Sequence, residues 1–285
     1  IVGTLKMGGI LPGIKRFDIN QIWKAVEAIR TGAETDDQSD LKNPEWDVLS
    51  ADTLPVDYPH FMAQKVGVPS QFSNVINRVL LLERLREVNA LLGFTRVESP
   101  DEGTGDEAAP RAPLGLGTPT WVPASEVHGE GIFIRFDPDQ LEAWSKTDAV
   151  ETIEKTLKKG HQGWRLKRGL DPEEGYLGVR HAMLHTLAHF LIRELALECG
   201  YNAASIRERI YADVDDGRDQ AGILIYTAAA DSDGTLGGLV DLGKPANLGR
   251  ILEQALKRAQ ICASDPLCSE HDPSKDQSLH GAACH

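Results

Sequence analysis

The chain has 285 residues and a mass of 31.1 kDa, and its 30 Lys and Arg against 43 Asp and Glu give a formal net charge of −13. A chain of this length buries a core without disulfides, and four Cys are too few for a disulfide-rich secreted scaffold. Its apolar runs fall short of the ~18 residues of a membrane-spanning helix, and residues 1–7 lack the features of an export signal. We therefore expect a cytoplasmic protein without membrane contact, and the apolar opening without Met predicts a start inside a longer polypeptide.

The first part of the chain predicts two helices and two polar regions. Asp18 or Asn20 would cap a first helix, whose apolar side chains fall on one face up to Ile29. Residues 33–70 are polar and interrupted by prolines, which is typical of loops and short extended pieces. Residues 73–92 carry apolar side chains at helical spacing and predict a second helix that ends at Gly93. Residues 98–118 mix acidic residues with Gly and Pro and predict a surface loop.

The remainder mixes strands and helices. Residues 121–127 and 131–136 are strand candidates on either side of residues 128–130, an arrangement typical of a hairpin. Asp137 and Pro138 would begin a helix that continues toward Leu157, and residues 178–199 predict a long helix that ends at Gly200. A short helix over 203–209, β-runs around 210–212 and 222–227, a Gly-bearing loop over 231–238 and a helix over 248–261 complete the pattern.

Metal-capable residues are concentrated at the end of the sequence. Of the 4 Cys and 9 His, six lie in residues 262–285, where a uniform spread would place roughly one. They are Cys262, Cys268, His271, His280, Cys284 and His285. Thiolates and imidazoles are ligands that Zn²⁺ prefers, and a segment with few large apolar residues can gain its order from a metal. We therefore predict a structural zinc site, whose fourth ligand is His280, His271 or a further cysteine; a catalytic zinc and unpaired thiols are less favoured.

Three histidines lie at successive turns of the predicted helix 178–199. His181, His185 and His189 are spaced i, i+4 and i+8, so neighbouring pairs share one helix face and offer two metal ligands. A zinc-protease helix needs Glu directly after the first His, whereas Thr186 follows His185. We favour a structural role for these histidines, and a metal-dependent nuclease or hydrolase that uses this face is the alternative.

Residues 238–245 nearly match the phosphate-binding pattern G-x4-G-K-[ST]. Pro245 stands where the pattern requires a hydroxyl for Mg²⁺, so the segment fails as an ATP-binding loop. We instead expect Gly234, Gly237 and Gly238 to serve a tight turn from a strand into a helix, with close backbone packing.

A basic segment stands out against the acidic composition. Five positive charges occur within eleven residues without an acid, and an aromatic side chain able to stack on a base lies among them. The residues are Lys158, Lys159, Trp164, Arg165, Lys167 and Arg168. The segment is a candidate nucleic-acid contact, against the alternatives of a solvated helix end and of contact with an acidic partner surface.

Several short segments together resemble a known family. They are residues 85–96, 129–133, 185–189, 198–201, 226–227, 234–239 and 262–284. From residue 82 onward the chain looks like the C-terminal part of the DrmB family, subunits of DISARM phage-defence systems, and of the wider family of helicase-associated zinc-binding domains. The resemblance implies four cysteine ligands, which map onto Cys262, Cys268, Cys284 and a fourth cysteine past residue 285, and it leaves Cys199 outside the signature as a buried thiol.

We predict a mixed α/β (α+β) fold, with helices packed on a small mixed sheet and a C-terminal zinc-binding tail. The expected regions are a partial N-terminal region with loops over 1–70, a helical and β-hairpin region over 71–175, and a helicase-associated zinc-binding domain over 176–285 that continues past the last residue. The resemblance implies a non-catalytic accessory subunit with structural Zn²⁺, which docks on a helicase or ATPase subunit (DrmA-like) and engages DNA mainly through the complex. A protein-interaction scaffold without DNA contact is a further alternative.

Overall fold

A computed structural model of the chain describes residues 42–56, 58–91, 93, 94, 114, 121–167, 169, 171–215, 218–228 and 238–260. The helices are α1 (Lys42–Ser50), α2 (Pro138–Ser145), α3 (Asp148–Lys167), α4 (Gly178–Cys199), α5 (Gly238–Leu242) and α6 (Pro245–Ala259). The strands are β1 (Phe61–Val66), β2 (Ile76–Ala90), β3 (Ala124–Phe136), β4 (Ile206–Tyr211), β5 (Val214–Asp215), β6 (Arg218–Asp219) and β7 (Gly222–Ala228). The predicted first helix, the loop 231–237 and most of the loop 98–118 lie outside the described residues.

Five strands form one antiparallel sheet in the order β1-β2-β3-β7-β4. Strand β7 lies between β3 and β4, with Ile225 opposite Ile132 on one side and opposite Glu208 on the other. In the sequence, the two short strands β5 and β6 lie between β4 and β7, and they pair with each other in a separate two-stranded sheet. The prediction of a mixed α/β fold class is confirmed, but the sheet is antiparallel where a mixed sheet was expected. The sheet combines strands from all three predicted regions, 1–70, 71–175 and 176–285.

Both faces of the sheet are covered, because alternate residues of its inner strands are apolar on each side. Ile132, Ile134, Ile223 and Ile225 belong to a core that helices α4 and α6 complete. Phe133 and Leu224 point to the opposite face, where Trp46 of α1 packs on them. The chain divides into two compact units, Ile1–Leu41 with Asn89–Ser125 and Lys42–Val88 with Glu126–His285, and both cores lie in the second.

The prediction of a helix over residues 73–92 is wrong, because this segment contains the fifteen-residue strand β2. Its consecutive residues Val79, Leu80, Leu81 and Leu82 are all buried, since the sheet is covered on both faces. A continuous apolar run of this kind does not distinguish a doubly covered strand from a buried helix by its periodicity.

The predicted hairpin around residues 128–130 is also wrong, because residues 124–136 form the single strand β3. Gly131 serves close packing, because a Cβ added there would lie 2.9 Å from the carbonyl oxygen of Ile225. Glycine inside a strand thus marks the approach of a neighbouring backbone here, and the turn that it suggested does not form.

Three further predictions need correction. The polar region 33–70 contains helix α1, which was not predicted, whereas strand β1 agrees with the short extended pieces expected there. The helix that begins at Asp137 breaks at Lys146 and resumes as α3, and Asp137 caps α2 by accepting a hydrogen bond from the backbone N–H of Gln140 at 3.1 Å. The predicted helix over 203–209 is a single 3₁₀ turn followed by strand β4.

The remaining elements agree with the sequence. Helix α4 begins and ends as predicted, and Gly200 ends it with a left-handed backbone at φ 70°. Strand β7 contains the predicted β-run 222–227, and β4 includes Ile210 and Tyr211 of the run predicted around 210–212. Helix α6 spans most of the predicted helix 248–261.

Candidate metal centre and its supporting helices

The predicted zinc ligands Cys262, Cys268 and Cys284 lie outside the described residues, together with the neighbouring histidines of the tail. Their donor chemistry fits Zn²⁺, because three thiolates supply most of a tetrahedral structural site. The structure describes the helix that leads into this segment, α6, as far as Ala259 and the following Gln260.

Helix α6 is fixed to α4 along its length. Leu248, Ile251, Leu252 and Ala255 form its buried stripe, as the helical period requires for one face. At the end that leads to the cysteines, Arg258 Nη1 donates to Glu194 Oε1 at 2.9 Å, and Glu194 is almost fully buried. The tail is therefore attached to a helix that is packed and ion-paired against the core.

Arg250 forms a second ion pair between α6 and α4, and this pair is bidentate. Its Nη1 and Nη2 atoms donate to Glu198 Oε1 and Oε2 at 2.8 and 3.2 Å. These hydrogen bonds hold the pKa of the Glu198 carboxyl below its usual range. The pair is exposed, so we assign it a role in register more than in stability.

A buried carboxylate positions the short helix α5. Glu130 of β3 is fully buried, and its oxygens accept hydrogen bonds from the backbone N–H groups of Leu239 and Val240 at 2.9 and 3.3 Å. The Tyr201 hydroxyl donates to the same carboxylate at 3.4 Å. Glu130 thus links the sheet to the first turn of α5, and its position in the predicted turn of a hairpin concealed this role.

The segment that resembles a phosphate loop is this helix and the turn after it. Gly238–Leu242 is helical, Gly243 follows it, and Pro245 begins α6. A Cβ at Gly243 would come within 2.9 Å of Ile132 Cγ1, so the glycine allows the turn to press against the sheet. Of the glycines expected in a strand-to-helix turn, Gly234 and Gly237 lie outside the described residues, and Gly238 begins α5.

Two of the three histidines on α4 meet a carboxylate of strand β4. His185 Nε2 and His189 Nε2 are 2.8 Å apart, and Glu208 Oε1 lies 3.4 Å from the first and 3.2 Å from the second. Hydrogen bonds from both imidazoles hold the pKa of the Glu208 carboxyl well below its usual range. The three groups form a convergent cluster able to hold a metal ion.

His181 is not part of this cluster. Its ring contacts that of His185 at a centroid distance of 5.6 Å, but its ligand atoms are not among those that converge. Burial and then the neighbouring His185 lower the pKa of His181 to about 4. The structure therefore brings His185 and His189 together as a pair with Glu208, and leaves His181 of the three-histidine face outside the cluster.

Glu208 was missed because residues 203–209 were assigned to a helix. In strand β4, every second residue points to the same face, so Ile206, Glu208 and Ile210 all lie on the face toward α4. Both isoleucines are buried there. The available signal was a carboxylate between two apolar positions of a strand. It could be recognised only when the two-residue period of a strand was applied to residues 206–210.

A second, more open group lies elsewhere on the sheet. His128 Nε2 is 3.5 Å from His60 Nδ1 and 3.5 Å from Glu126 Oε1. Glu126 is exposed and also lies 3.6 Å from the Arg86 guanidinium. The arrangement is looser than that of His185, His189 and Glu208.

The basic segment is partly neutralised by the loop that follows it. Arg165 is buried, with only 4% of its side chain exposed, and donates from Nε to the carbonyl oxygen of Asp171 and from Nη2 to Glu174 Oε2. Lys158 Nζ lies 3.4 Å from Glu173 Oε2. Residues 158–168 contain no acid, but in the fold two acids of the following loop lie beside this segment.

The remaining members of the segment differ in accessibility. Lys159 and Lys167 are exposed, whereas Trp164 is half-buried and stacks on His161 at a centroid distance of 6.3 Å. Arg168 lies outside the described residues. Of the described candidates for nucleic-acid contact, the lysines present charge to solvent and Arg165 holds the loop.

Cys199 is half-buried at the end of α4, where a buried thiol was expected. Burial, followed by the charges of Glu130 and Glu198, raises the pKa of its thiol to about 11. Its sulfur would lie 3.9 Å from a Cβ at Gly238, so it packs beside α5.

Among the described helices, none combines the length and the apolar character that crossing a membrane demands.

The chain matches known proteins over most of its length. Residues 187–285 match the family described as the MrfA Zn-binding domain. The DISARM protein DrmB of Bacillus paralicheniformis is 33% identical over 266 residues, which are 92% of this chain and 46% of that protein. The chain thus spans slightly less than half the length of this curated relative.

A solved structure gives a weaker match. The crystal structure of the DUF1998 helicase MrfA bound to DNA is 14% identical and covers 75% of this chain and 22% of its own, with a TM-score of 0.30. That score is too low to establish a common fold. The resemblance noted in the sequence is confirmed by the other two matches: the chain is similar to the DISARM protein DrmB, and its residues 187–285 match a zinc-binding domain, which indicates that it binds zinc.

Proposed function

We propose that the chain acts as a non-catalytic, zinc-stabilised accessory subunit of an antiviral defence complex of the DISARM type. The observation that carries this proposal is the 33% identity to DrmB over 92% of the chain. In the proposed complex the chain docks on a helicase or ATPase subunit, DrmA-like, and assists that subunit in engaging DNA.

The zinc has a structural role in this proposal. Cys262, Cys268 and Cys284 hold it together with one further ligand, and a closed tetrahedral site of this kind supplies folding energy to the segment that surrounds it. Helix α6 reaches Ala259, and Arg258 pairs there with the buried Glu194. Such a helix gives the zinc segment a rigid base, so the segment can present a fixed surface to the partner.

Nucleotide hydrolysis is assigned to the partner subunit. The segment most similar to a phosphate loop is a short helix and a turn pressed against the sheet, and Pro245 occupies the position of the Mg²⁺-binding hydroxyl. This arrangement favours a scaffold role for residues 238–245.

DNA contact is proposed through the exposed lysines Lys158, Lys159 and Lys167, with Trp164 beside them. Because the net charge is −13, this surface would form one edge of a footprint whose main part belongs to the partner. A second candidate function, a protein-interaction scaffold without DNA contact, is favoured by the pairing of Arg165 and Lys158 with Glu174 and Glu173.

A co-purification experiment tests the docking proposal. The tagged full-length protein is co-expressed with the helicase subunit of the same defence system, and the recovered partner and zinc are measured for the parent and for Cys262→Ser with Cys268→Ser. We expect both zinc and partner to be lost in the double variant. Cys199→Ser is the matched control and should retain both; recovery of the partner at parental yield without zinc would contradict the proposal.

A DNA-binding measurement on the assembled complex separates the two candidate functions. Lys158, Lys159 and Lys167 are changed together to Glu, and the exposed lysines Lys65, Lys146 and Lys257 are changed to Glu as a control of equal charge. If the first surface contacts phosphates, its variant loses more affinity than the control and has a shallower salt dependence. Equal behaviour of the two variants favours the scaffold without DNA contact.

A further inference from the structure

Helix α4 and strand β4 bring three ligand atoms to one point, at a place separate from the cysteines of the tail. His185 and His189 are one helical turn apart, so their rings lie on the same face of α4, with centroids 4.6 Å apart. Glu208 reaches them from β4, on the sheet face that α4 covers. The cluster therefore joins helix α4 to β4, the next strand along the chain.

The distances match the edges of a coordination polyhedron. The three ligand atoms are separated by 2.8, 3.2 and 3.4 Å. Ligands about 2.1 Å from a divalent ion are about 3.0 Å apart along the edge of an octahedron and about 3.4 Å apart along that of a tetrahedron. The side chains need only small adjustments to bind one ion in common.

The types of donor atom also suit a divalent cation. A carboxylate oxygen of Glu208 faces both imidazole Nε2 atoms, at 3.4 Å from His185 and 3.2 Å from His189. One carboxylate oxygen and two imidazole nitrogens are donors that Zn²⁺ and other divalent first-row ions accept.

The cluster is accessible from one side. The His185 side chain is 34% exposed, whereas the His189 and Glu208 side chains are 9% and 22% exposed. An ion can therefore enter past His185, while His189 and Glu208 form the more enclosed part of the site. Three protein ligands leave at least one coordination position for water or an exogenous ligand.

We propose that His185, His189 and Glu208 bind a divalent first-row transition-metal ion, with Zn²⁺ as the reference ion, at a second metal site that ties helix α4 to the edge strand β4. This site does not depend on the accessory-subunit function or on the cysteine ligands. The chemical class of the two sites differs, because one offers thiolates and the other offers imidazoles and a carboxylate.

Cobalt substitution distinguishes the two sites in the full-length protein. Metal-free protein is titrated with Co²⁺, and the visible absorption is recorded for the parent, for Cys262→Ser with Cys268→Ser, and for Glu208→Gln. We expect the cysteine double variant to keep a Co²⁺ signal without the intense thiolate charge-transfer bands. A cysteine double variant that is folded yet gives no such signal would overturn the proposal.

The ligand variants establish which residues bind the ion. Glu208→Gln nearly preserves shape and should weaken Co²⁺ binding to this site by at least ~10-fold, and His189→Ala should remove one metal equivalent per chain in elemental analysis. Circular dichroism confirms that each variant is folded; should His189→Ala not fold, Glu208→Gln decides the question. Unchanged Co²⁺ affinity in folded Glu208→Gln would overturn the proposal.

Two control variants test the position of the site. His181→Asn alters a neighbour on α4 that lies outside the cluster, and His128→Ala alters the more open group of His60, Glu126 and His128. We expect both variants to bind as much metal as the parent at the site under test. Loss of the imidazole-type Co²⁺ signal in either control, with the signal retained in Glu208→Gln, would overturn the assignment.

Discussion

The two metal-capable regions of the chain differ in how their ligands are brought together. The tail cysteines lie within one short segment, so their ligand role is visible in the sequence as a local concentration of donors. Glu208 meets His185 and His189 only because strand β4 packs under helix α4. A metal site that depends on local sequence can be predicted from composition, whereas one that depends on topology requires the strand register.

The same contrast applies to folding. A zinc site within a segment poor in apolar residues supplies much of the energy that orders that segment, whereas a site between packed elements adds to a core that already exists. We therefore expect metal removal to disturb the tail strongly and the α4–β4 core weakly.

The largest expected effect follows from removal of the cysteine ligands. Cys262→Ser with Cys268→Ser should abolish zinc binding at the tail, because a structural site contributes roughly 10–16 kcal/mol of apparent folding energy in finger peptides. Limited proteolysis followed by mass spectrometry should then show rapid cleavage after residue 260, while the α4–α6 core stays protected. Equal protection of the tail in the variant and the parent would contradict this expectation.

The second prediction concerns the carboxylate that holds α5. Glu130→Ala should lower the free energy of unfolding by about 3 kcal/mol, because the buried N–H groups of Leu239 and Val240 lose their acceptor at a cost of about 1–3 kcal/mol each. Denaturant unfolding measures the change. Glu253→Ala, at an exposed position of α6, is the control and should stay within about 0.5 kcal/mol of the parent. Similar values for the two variants would refute the role of Glu130.

The third prediction separates two residues of the basic segment on α3. Arg165→Ala should cost about 2 kcal/mol of unfolding free energy, because the buried guanidinium holds the loop through Asp171 and Glu174. Lys159→Ala, on the exposed face of the same helix, should change stability by less than about 0.5 kcal/mol. Thermal unfolding compares them, and an Arg165 variant as stable as the Lys159 variant would place Arg165 at the surface.

The smallest structural effect is expected at Cys199. Because burial and nearby carboxylates raise the pKa of its thiol to about 11, its alkylation at pH 8 should be about 100-fold slower than that of an ordinary cysteine. The rate should increase as the pH rises toward 11, since the thiolate is the reactive form. Mass spectrometry of iodoacetamide-treated protein measures the rate, and rapid labelling at pH 8 would mean that the thiol is more exposed than described.

Much of the fold was predictable where the local signal and the tertiary environment agree. Helix α4 has apolar residues along its length and a glycine at its end, and the structure contains it with the predicted bounds. Strand β2 was not predictable in this way, because both faces of the sheet are covered and the consecutive residues Val79 to Leu82 are all buried. The periodicity of such an apolar run does not distinguish a strand from a buried helix.

The candidate site was predictable in part for the same reason. The spacing of His185 and His189 indicated a pair on one helix face, and this pairing is present. Glu208 could not be paired with them until residues 206–211 were recognised as a strand, and the neutralisation of Arg165 depends on a loop that folds back from residues 171–175. Contacts of this kind depend on how one element folds back on another, and the residue pattern within a single element does not predict them.

The most direct test of the proposed function is the affinity of the metal-free full-length protein for the proposed helicase partner, measured before and after zinc is restored. We expect that chelation abolishes the interaction in the parent, that added Zn²⁺ restores it, and that the variant lacking Cys262 and Cys268 is not restored. A metal-free protein that is folded and binds the partner with the parental dissociation constant would contradict the claim that zinc organises the docking module.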